Sequence, residues 1–436
     1  MIRWMIVVLS LACLLAHLPA RAADPPDVLA MRVLDQLDAG EFDAVAGQFT
    51  PEARAAIDAA ALQRIWTSLP EQVGAAQGRG APVISEIGGL RVVTVPLKYE
   101  RTSLQAVISL DDQDRVAGLL LQPVQAPPPP PATPPADAGV TERPIEVGPS
   151  DRALPGLLTL PEGDGPFPAV VLVHGSGPQD RDETLGPNRP FLDLAHGLAA
   201  QGIAVLRYDK RTRARPQDFG PDAGVDQETT DDAVAAVALL HATPGVDPAR
   251  IFVLGHSLGA MLAPRIAARA PGVKGMVLLA APARPVLDLV VEQIGRMAAS
   301  DGEVSEAEQQ ALDKLTQAIA RLRAGETLPA DQAPLGQSTA YWRSIEAVDP
   351  VADARASSLP MLVLHGGRDI QVVDTDRQAW QTAFAHIARV TLKHYPALNH
   401  LGMAGEGPGS LADYQVAGKV DATLIHDIAT WILSTR

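Results

Sequence analysis

A serine between two glycines, in the pattern G-x-S-x-G, is the feature of this sequence that points most directly to chemistry. The motif runs from Gly255 to Gly259 and has Ser257 at its centre. An apolar run, 251–254, precedes it, and an alanine-rich stretch, 260–270, follows it. Strand, tight turn and helix in that order would hold the serine hydroxyl clear of a sheet, at the positive end of a helix. The motif therefore predicts that Ser257 is a nucleophile.

A serine hydroxyl is a useful nucleophile only when a base takes its proton and an acid orients that base. Asp369 follows a buried-type strand, 361–365, and a glycine turn. His400 comes a few residues after a predicted strand, 390–395. Serine, acid and histidine in that chain order are what a nucleophile turn of this type requires. We therefore predict that His400 is the general base and that Asp369 orients it.

Other acids and histidines in the same interval leave alternatives open. Asp349 and Asp374 also lie between the serine and the histidine, and Asp374 is well placed to cap the helix that follows it. His386 ends a predicted helix, and His394 lies inside a predicted strand. His400 is favoured over both because it has the strand-then-loop context.

Acyl transfer through a serine also needs backbone N–H groups that bind the developing oxyanion. One should be the N–H of Leu258, the residue after the nucleophile. The other is expected from the glycine-rich loop 174–177, which follows a buried-type strand, 169–173. Within that loop we favour the N–H of Ser176. The alternative interpretation of the loop is an ordinary glycine-rich turn.

The remaining polar residues near these motifs are interpreted as structural. His174 would hold the glycine-rich loop, and His256 would point into the turn. Three arginines, Arg181, Arg207 and Arg211, could meet an anionic substrate, although pairing with acids at the surface is the favoured interpretation. The sequence has neither a metal-ligand spacing nor a dinucleotide fingerprint, so it indicates no cofactor and no metal.

Length and charge set limits on the molecule that carries these motifs. A chain of 436 residues is too long for one ordinary core, so two domains are expected. The formal net charge of −15 is the opposite of the basic surface that nucleic-acid binding needs. We therefore predict an acidic protein with a small-molecule substrate and without a nucleic-acid partner.

The first 22 residues are typical of a signal peptide. Arg3 supplies the positive start, residues 6–18 form an apolar stretch, and 20–22 fit an A-x-A cleavage site. We expect an exported protein, periplasmic or secreted, without stable membrane insertion once the segment is removed. An uncleaved anchor is the alternative. Cleavage would also remove Cys13, the single cysteine, and a lipoprotein interpretation of that cysteine is disfavoured.

Two segments precede the part of the chain that carries the motifs. Residues 24–123 predict a small α+β domain, with helical periodicity first and then period-two alternation typical of an antiparallel meander. Residues 124–140 predict a proline-rich linker, with an unbroken proline run over 127–131.

Residues 141–436 show an alternation of strand and helix patterns. This alternation predicts a mainly parallel sheet with helices on both faces. Residues 152–160 are expected to form an edge strand. A long insertion, about 282–348, contains a charged amphipathic helix over 303–323 and is expected to cap the carboxyl edge of the sheet. A surface helix pair without a function is the alternative.

The second domain resembles the α/β-hydrolase superfamily. The run from His174 to Glu183, together with Tyr208 to Arg211, is similar to exported bacterial esterases and to the catalytic domain of prolyl oligopeptidase-like hydrolases. This resemblance implies a serine hydrolase that forms an acyl-enzyme, and a carboxylesterase is the favoured function. A peptidase or amidase is the alternative, and the chain has no β-propeller of the oligopeptidase type. A binding protein that kept the fold without the activity is a further alternative.

The first domain resembles the DUF3887 module that precedes some secreted α/β hydrolases. The resemblance depends on the order of its elements and on the turn 39–43. It implies a cone-shaped fold similar to nuclear transport factor 2. We expect a packing or substrate-shaping role for this domain, because it contains no catalytic constellation.

Overall fold

The computed structural model describes residues 24–87, 90–101, 103–123, 139–299, 302, 304–329 and 332–435. The chain divides into two compact units, residues 1–129 and 130–436. The predicted signal peptide and nearly all of the predicted linker fall outside the described residues.

The first unit begins with helices and ends with strands. Its helices are α1 (Pro26–Asp38), α2 (Phe42–Gly47), α3 (Pro51–Ala56) and α4 (Ala59–Val73). Its strands are β1 (Ala76–Arg79), β2 (Val83–Ile87), β3 (Leu90–Tyr99), β4 (Ser103–Leu110) and β5 (Val116–Pro123). Strand β3 pairs antiparallel with β1, β2 and β4, and β4 pairs antiparallel with β5.

The core of the first unit lies between these helices and the sheet. Leu34, Leu37 and Phe49 pack in one buried cluster with Val93 and Ile108. The α+β expectation for this domain is confirmed. The predicted alternation begins at β3 and misses two strands before it. One is β1, whose sequence AQGR is short, mostly exposed and without alternation of apolar residues, and the other is β2.

The second unit contains eight strands and ten α-helices in its described residues. The strands are β6 (Val140–Val147), β7 (Leu154–Pro161), β8 (Phe167–Val173), β9 (Ala204–Tyr208), β10 (Val246–His256), β11 (Val273–Leu279), β12 (Met361–Gly366) and β13 (Val390–Tyr395). The helices are α5 (Pro190–Ala199), α6 (Arg211–Ala214), α7 (Asp231–His241), α8 (Leu258–Arg269), α9 (Val286–Ala298), α10 (Glu306–Arg323), α11 (Thr339–Glu346), α12 (Pro350–Ala356), α13 (Asp374–Phe384) and α14 (Ala422–Ser434).

All the strands of the second unit form one sheet, in the order β13-β12-β11-β10-β8-β9-β7-β6. Pairing is parallel from β13 to β9, and β7 and β6 are added antiparallel. The mainly parallel sheet predicted from the sequence is therefore confirmed. Because parallel strands end at the same edge, the segments that follow β8, β10, β12 and β13 meet there.

The predicted edge strand is one strand away from the edge. Residues 154–161 form β7, which pairs with β9 on one side and with β6 on the other. The edge is β6, which begins at the end of the predicted linker. Its exposed charged residues and Pro144 are typical of an edge strand. The same residues break the apolar pattern by which a strand is predicted from sequence.

Both faces of the sheet are covered, which explains why its strands are apolar without alternation. Val171 and Val253 pack into the core on one face, and their neighbours Leu172 and Leu254 pack into the core on the other. Burying one such side chain fully contributes about 2 kcal/mol relative to leaving it exposed.

The long insertion between β11 and β12 contains α9, α10 and α11. Helix α10 begins after Ser305, whose hydroxyl accepts from the N–H of Glu308 while the Glu308 carboxylate accepts from the N–H of Ser305. This capping box sets the start of the helix three residues later than the periodicity suggested. Trp342 of α11 packs in the same cluster as Leu315 of α10.

No helix in the described residues is long and apolar enough to cross a bilayer.

Candidate active site

The turn at Ser257 holds this residue in a backbone conformation that side chains rarely adopt. Ser257 has φ 53° and ψ −116°, between the end of β10 and the start of α8. A Cβ on Gly255 would lie 2.1 Å from the carbonyl oxygen of Gly259, and a Cβ on Gly259 would lie 2.2 Å from that of Val173. Any Cβ at these two positions would overlap backbone atoms, so only glycine fits there. The two glycines therefore allow the chain to turn sharply at Ser257. The N–H of Ser257 donates to Leu279 of β11 at 2.9 Å and fastens the turn to the sheet.

Asp369 and His400 form a buried pair. His400 Nδ1 lies 2.8 Å from Asp369 Oδ2, and the other carboxylate oxygen accepts from the N–H groups of Gln371 and Val372 at 2.8 and 2.9 Å. A histidine whose Nδ1 is bonded to a carboxylate has its Nε2 free to accept a proton. The predicted acid and the predicted base are thus brought together.

The turn that carries Asp369 and the loop that carries His400 are joined through their main chains. The N–H of Arg368 donates to the carbonyl of Leu398 at 2.9 Å, and the N–H of Gly367 donates to Tyr395 at 2.8 Å. The Asn399 side chain closes the loop by accepting from the N–H groups two and four residues further on. These contacts hold the turn of Asp369 next to the loop of His400 independently of the hydrogen bond between those two side chains.

His256, directly before the nucleophile, connects the Ser257 turn to the loop of His400. Its Nε2 lies 2.9 Å from the carbonyl oxygen of His400 and must carry a hydrogen, since a carbonyl only accepts. Its Nδ1 lies 2.8 Å from Glu183 Oε2. Glu183 Oε1 accepts from the N–H of Gly175 at 2.6 Å. Among the described residues the Ser257 hydroxyl makes no hydrogen bond, so its link to His400 in this structure passes through His256.

Burial and pairing act against each other on these groups. Burial penalises the Asp369 carboxylate, but the charge of His400 and its hydrogen bond hold the pKa of Asp369 below its ordinary value. Burial would lower the pKa of His256, but Glu183 raises it above the ordinary value for histidine. Burial lowers the pKa of His174 to about 4, so that side chain is neutral. The structure thus places a buried carboxylate beside a buried imidazole, Glu183 and His256, next to the predicted triad.

Of the two predicted oxyanion donors, one directly follows Ser257 in the chain and the other lies in the glycine-rich loop. Leu258 is the first residue of α8, and Ser176 lies in the glycine-rich loop after β8. Neither N–H donates to an acceptor within the described parts of the chain. A Cβ on Gly175 would lie 3.3 Å from the Cβ of Ser257, so the glycine-rich loop packs directly against the nucleophile.

The rival acids and histidines lie away from this pair. Asp349 caps α12, where its side chain accepts from Ala352. Asp374 opens α13 and pairs with an arginine of the same helix. His386 and His394 are exposed. The structure therefore brings none of these four rivals to Asp369 and His400.

The three arginines considered for an anionic substrate all pair with carboxylates. The pairs are Arg181 with Asp209, Arg207 with Glu142 and Asp182, and Arg211 with Asp218 and Asp232. Arg207 departs from the expectation of surface pairing, because its side chain is only 1% exposed. It lies in β9, whose five residues are all buried.

Sequence reasoning missed a buried chain of polar side chains beside the glycine-rich loop. Lys210 Nζ lies 2.8 Å from Glu228 Oε1 and donates to the carbonyl oxygen of Gly175 at 2.8 Å. Glu228 Oε2 accepts from the hydroxyl of Tyr341, on α11, at 2.8 Å. The sequence places Lys210 in the motif 208–211, but no sequence pattern connects it with Glu228 and Tyr341, which lie 18 and 131 positions later.

A cavity of about 560 Å³ opens beside the glycine-rich loop. Its walls include Ser176 and Gly177 of the loop, Phe219, and Tyr341 and Trp342 of α11. Sites for small organic ligands commonly have volumes of about 300–1,000 Å³. A molecule in this cavity would lie between a predicted oxyanion donor and the predicted cap.

A mainly parallel sheet, a strained serine turn and an Asp–His pair at one sheet edge define an α/β hydrolase of the serine type. Residues 166–406 match the family described as serine aminopeptidase, S33, and residues 30–119 match the family described as DUF3887, a protein of unknown function. The chain belongs to this S33 family of α/β hydrolases and carries a DUF3887 domain before it.

Two similar proteins show the extent of the likeness. Esterase EstD of Thermotoga maritima is 34% identical over 420 residues, which cover 93% of this chain and 95% of that protein. Among solved structures, Est1E of Butyrivibrio proteoclasticus is 16% identical with a TM-score of 0.44, covering 67% of this chain and 98% of that one. The similarity to EstD extends over both units.

Proposed function

We propose that this protein is a serine carboxylesterase and that Ser257, His400 and Asp369 are its catalytic triad. The observation that carries the proposal is the buried Asp369–His400 pair, joined through His256 to the strained turn that presents Ser257. A base oriented by an acid and a nucleophile on a strained turn are the parts that acyl transfer requires.

The proposed reaction has two halves with one covalent intermediate. His400 Nε2 takes the proton of the Ser257 hydroxyl as its oxygen attacks the ester carbonyl, and the N–H groups of Ser176 and Leu258 donate to the resulting oxyanion. The tetrahedral intermediate that carries this oxyanion collapses to the acyl-enzyme: the C–O bond to the alcohol breaks, and His400 gives the proton to the leaving alkoxide. Water then attacks the acyl-enzyme with His400 again as base. The bond between Ser257 Oγ and the acyl carbon breaks, His400 returns the proton to Ser257, and the carboxylic acid leaves. Asp369 stabilises the imidazolium in both halves.

The cavity beside the glycine-rich loop supports a small ester as the substrate. Its volume of about 560 Å³ exceeds what an acetyl group fills, and aromatic rings form part of its wall. We propose that it takes one of the two substituents of the ester carbonyl. The insertion that contains α11 would then act as the predicted cap, since Tyr341 and Trp342 of α11 line the cavity.

The description of the family favours a second candidate, a peptidase on the same triad. Two considerations favour the esterase. EstD is named an esterase, and the match to it extends over both units of this chain. A cavity bounded by the loop and the predicted cap also suits a compact substrate better than a long peptide.

The deciding experiment is hydrolysis of p-nitrophenyl esters of graded acyl length, beside aminoacyl p-nitroanilides, with wild type and Ser257→Ala. We expect ester hydrolysis that disappears in the variant, with an optimum longer than acetyl. A preference for anilides would support the peptidase. Absence of both activities, with no labelling by a fluorophosphonate probe, would contradict a catalytic function.

We further propose that the protein is exported. The support is the sequence of the first 22 residues, with its positive start, apolar stretch and A-x-A site. Expression of the full chain in a Gram-negative host, followed by fractionation and N-terminal sequencing, tests this. A periplasmic product that begins at residue 23 is expected, and retention of residue 1 in the membrane fraction would indicate the uncleaved anchor instead.

A further inference from the structure

We propose that Lys210 is a positioning residue for the oxyanion hole: it fixes and polarises the peptide group whose N–H, that of Ser176, receives the oxyanion. The inference rests on the proposed function, since it assigns a role within that site. Beyond the proposed triad, the inference gives a role to a buried cation and connects the predicted cap to the proposed oxyanion donor.

The geometry begins with one peptide group. The carbonyl of Gly175 and the N–H of Ser176 belong to the same peptide, and in a trans peptide these two bonds point in opposite directions. Lys210 Nζ lies 2.8 Å from that carbonyl oxygen. A donor held on the oxygen side therefore aims the N–H to the other side, away from Lys210.

The other side of this peptide faces the site. Ser176 lines the cavity, and Gly175 packs against the Cβ of Ser257. The peptide on the other side of Gly175 is held too, because its N–H donates to Glu183 at 2.6 Å. Gly175 is thus fixed by a carboxylate on its N–H and by an ammonium on its carbonyl, which leaves its φ and ψ little freedom.

Charge makes Lys210 more than a spacer. An ammonium at 2.8 Å draws electron density toward the carbonyl oxygen and makes the N–H of the same peptide a stronger donor. Lys210 as a residue is only 1% exposed, so water screens this effect very little. An oxyanion forming at the N–H gains from it more than the neutral ester carbonyl does, and therefore the effect falls on the transition state.

The partners of Lys210 explain how a cation can be kept there. Glu228 Oε1 lies 2.8 Å from Nζ and balances its charge, and Glu228 is itself 4% exposed. The hydroxyl of Tyr341 donates to the second oxygen of Glu228 at 2.8 Å. Since Tyr341 belongs to α11 of the insertion, the chain Tyr341–Glu228–Lys210 connects the predicted cap to the oxyanion donor.

The test compares variants of the full chain in ester hydrolysis and in inhibition by a trifluoromethyl ketone, whose adduct with serine carries an oxyanion. Lys210→Met removes both the bond and the charge, and Lys210→Gln keeps a neutral donor. Lys210→Met combined with Glu228→Gln avoids leaving a buried carboxylate without its cation. The matched control is Arg389→Met, because Arg389 also donates to main-chain carbonyls, but at the opposite edge of the sheet, before β13.

We expect Lys210→Met, alone and in the double variant, to lower kcat by about 10- to 100-fold with KM changed by less than about twofold. The inhibition constant of the ketone should rise by a similar factor. Lys210→Gln should fall between wild type and Lys210→Met, and Arg389→Met should keep the wild-type kcat and inhibition constant.

Three results would overturn the inference while leaving the proposed esterase intact. They are an unchanged inhibition constant in the double variant, a loss expressed in KM with kcat retained, and an equal loss in Arg389→Met. A wild type that neither hydrolyses esters nor reacts with a fluorophosphonate would overturn the proposed function, and this inference with it.

Discussion

Asp369 keeps its negative charge inside the protein because three donors surround it. Its side chain is fully buried, and His400 and the N–H groups of Gln371 and Val372 take its two oxygens. Both carboxylate oxygens therefore have a hydrogen-bond partner, which is what a buried carboxylate needs. At the scale of single residues, the orientation of His400 depends on this one carboxylate.

Asp369→Asn tests that dependence. An amide of the same shape can present its NH₂ group to His400 and favour the wrong tautomer, so kcat for p-nitrophenyl ester hydrolysis should fall by about 10³- to 10⁴-fold. The control is Asp374→Asn, an exposed acid of the same interval, which should stay within about twofold of wild type. Equal losses in the two variants would argue against Asp369 as the triad acid.

The position of the Ser257 turn depends on how closely α8 packs against β8. Gly259 lies in the first turn of α8 and touches the carbonyl of Val173 at the end of β8, and β8 leads into the glycine-rich loop. Any side chain at Gly259 would separate α8 from β8. At the scale of elements, the nucleophile and a predicted oxyanion donor are thus brought together by the close approach of a helix and a strand.

Gly259→Ala should therefore be costly for stability as well as activity. The added Cβ would lie 2.2 Å from a backbone oxygen, and relieving that overlap should reduce the free energy of unfolding by about 3 kcal/mol. Gly295→Ala is the control, because Gly295 lies inside α9 with nothing within 4 Å of its Cβ position. Urea unfolding of both variants gives the comparison, and a stable Gly259→Ala would show that the helix can shift.

The Glu183–His256 pair acts on the second unit as a whole, since it joins three segments far apart in the sequence. Glu183 holds the loop after β8, His256 precedes the nucleophile, and the far side of its ring holds the main chain of His400. Apart from Glu183, the titratable groups that act on His256 include Asp369. The pair thus connects the glycine-rich loop after β8 to the segments that carry the proposed triad.

The pH dependence of stability should reveal this pair. The pKa of His256 is raised in the folded protein. The contribution of this histidine to the free energy of unfolding is therefore complete at pH values below the ordinary histidine pKa, and it disappears as pH rises through the pKa of the folded state. Glu183→Gln should therefore lower the unfolding free energy by about 3 kcal/mol near pH 6. The gap between variant and wild type should narrow toward pH 9. Urea titrations across this range measure the gap, and a gap independent of pH would contradict a charged His256.

The division into two units predicts where activity resides. Each unit has its own buried core, and every residue assigned to the site lies in the second. A chain of residues 139–436 should keep kcat/KM for p-nitrophenyl esters within about threefold of the full chain, because the chemistry depends on the second unit alone. A larger loss in a folded fragment would assign the first unit a part in substrate binding.

The fold class and the three triad candidates could be predicted because their signals are local. Glycines two positions either side of Ser257, an apolar run before Asp369 and a strand shortly before His400 are each readable within about ten residues. The edge strand β6 could not be predicted, since its pattern is polar and its pairing depends on β7. Arg207 was expected at the surface because a charged side chain gives no sequence sign of being enclosed.

The sequence by itself determined the strained turn at Ser257, the chain order of the triad candidates and a mainly parallel sheet, since glycine spacing and apolar runs constrain the backbone directly. Only the tertiary structure decided which buried charges meet. Glu183, in the loop after β8, pairs with His256, at the end of β10, because β8 and β10 are neighbours in the sheet, and Lys210, after β9, pairs with Glu228, just before α7. Such partners are chosen by the cost of leaving a charge unpaired in a dry interior, and that cost exists only once the chain has folded.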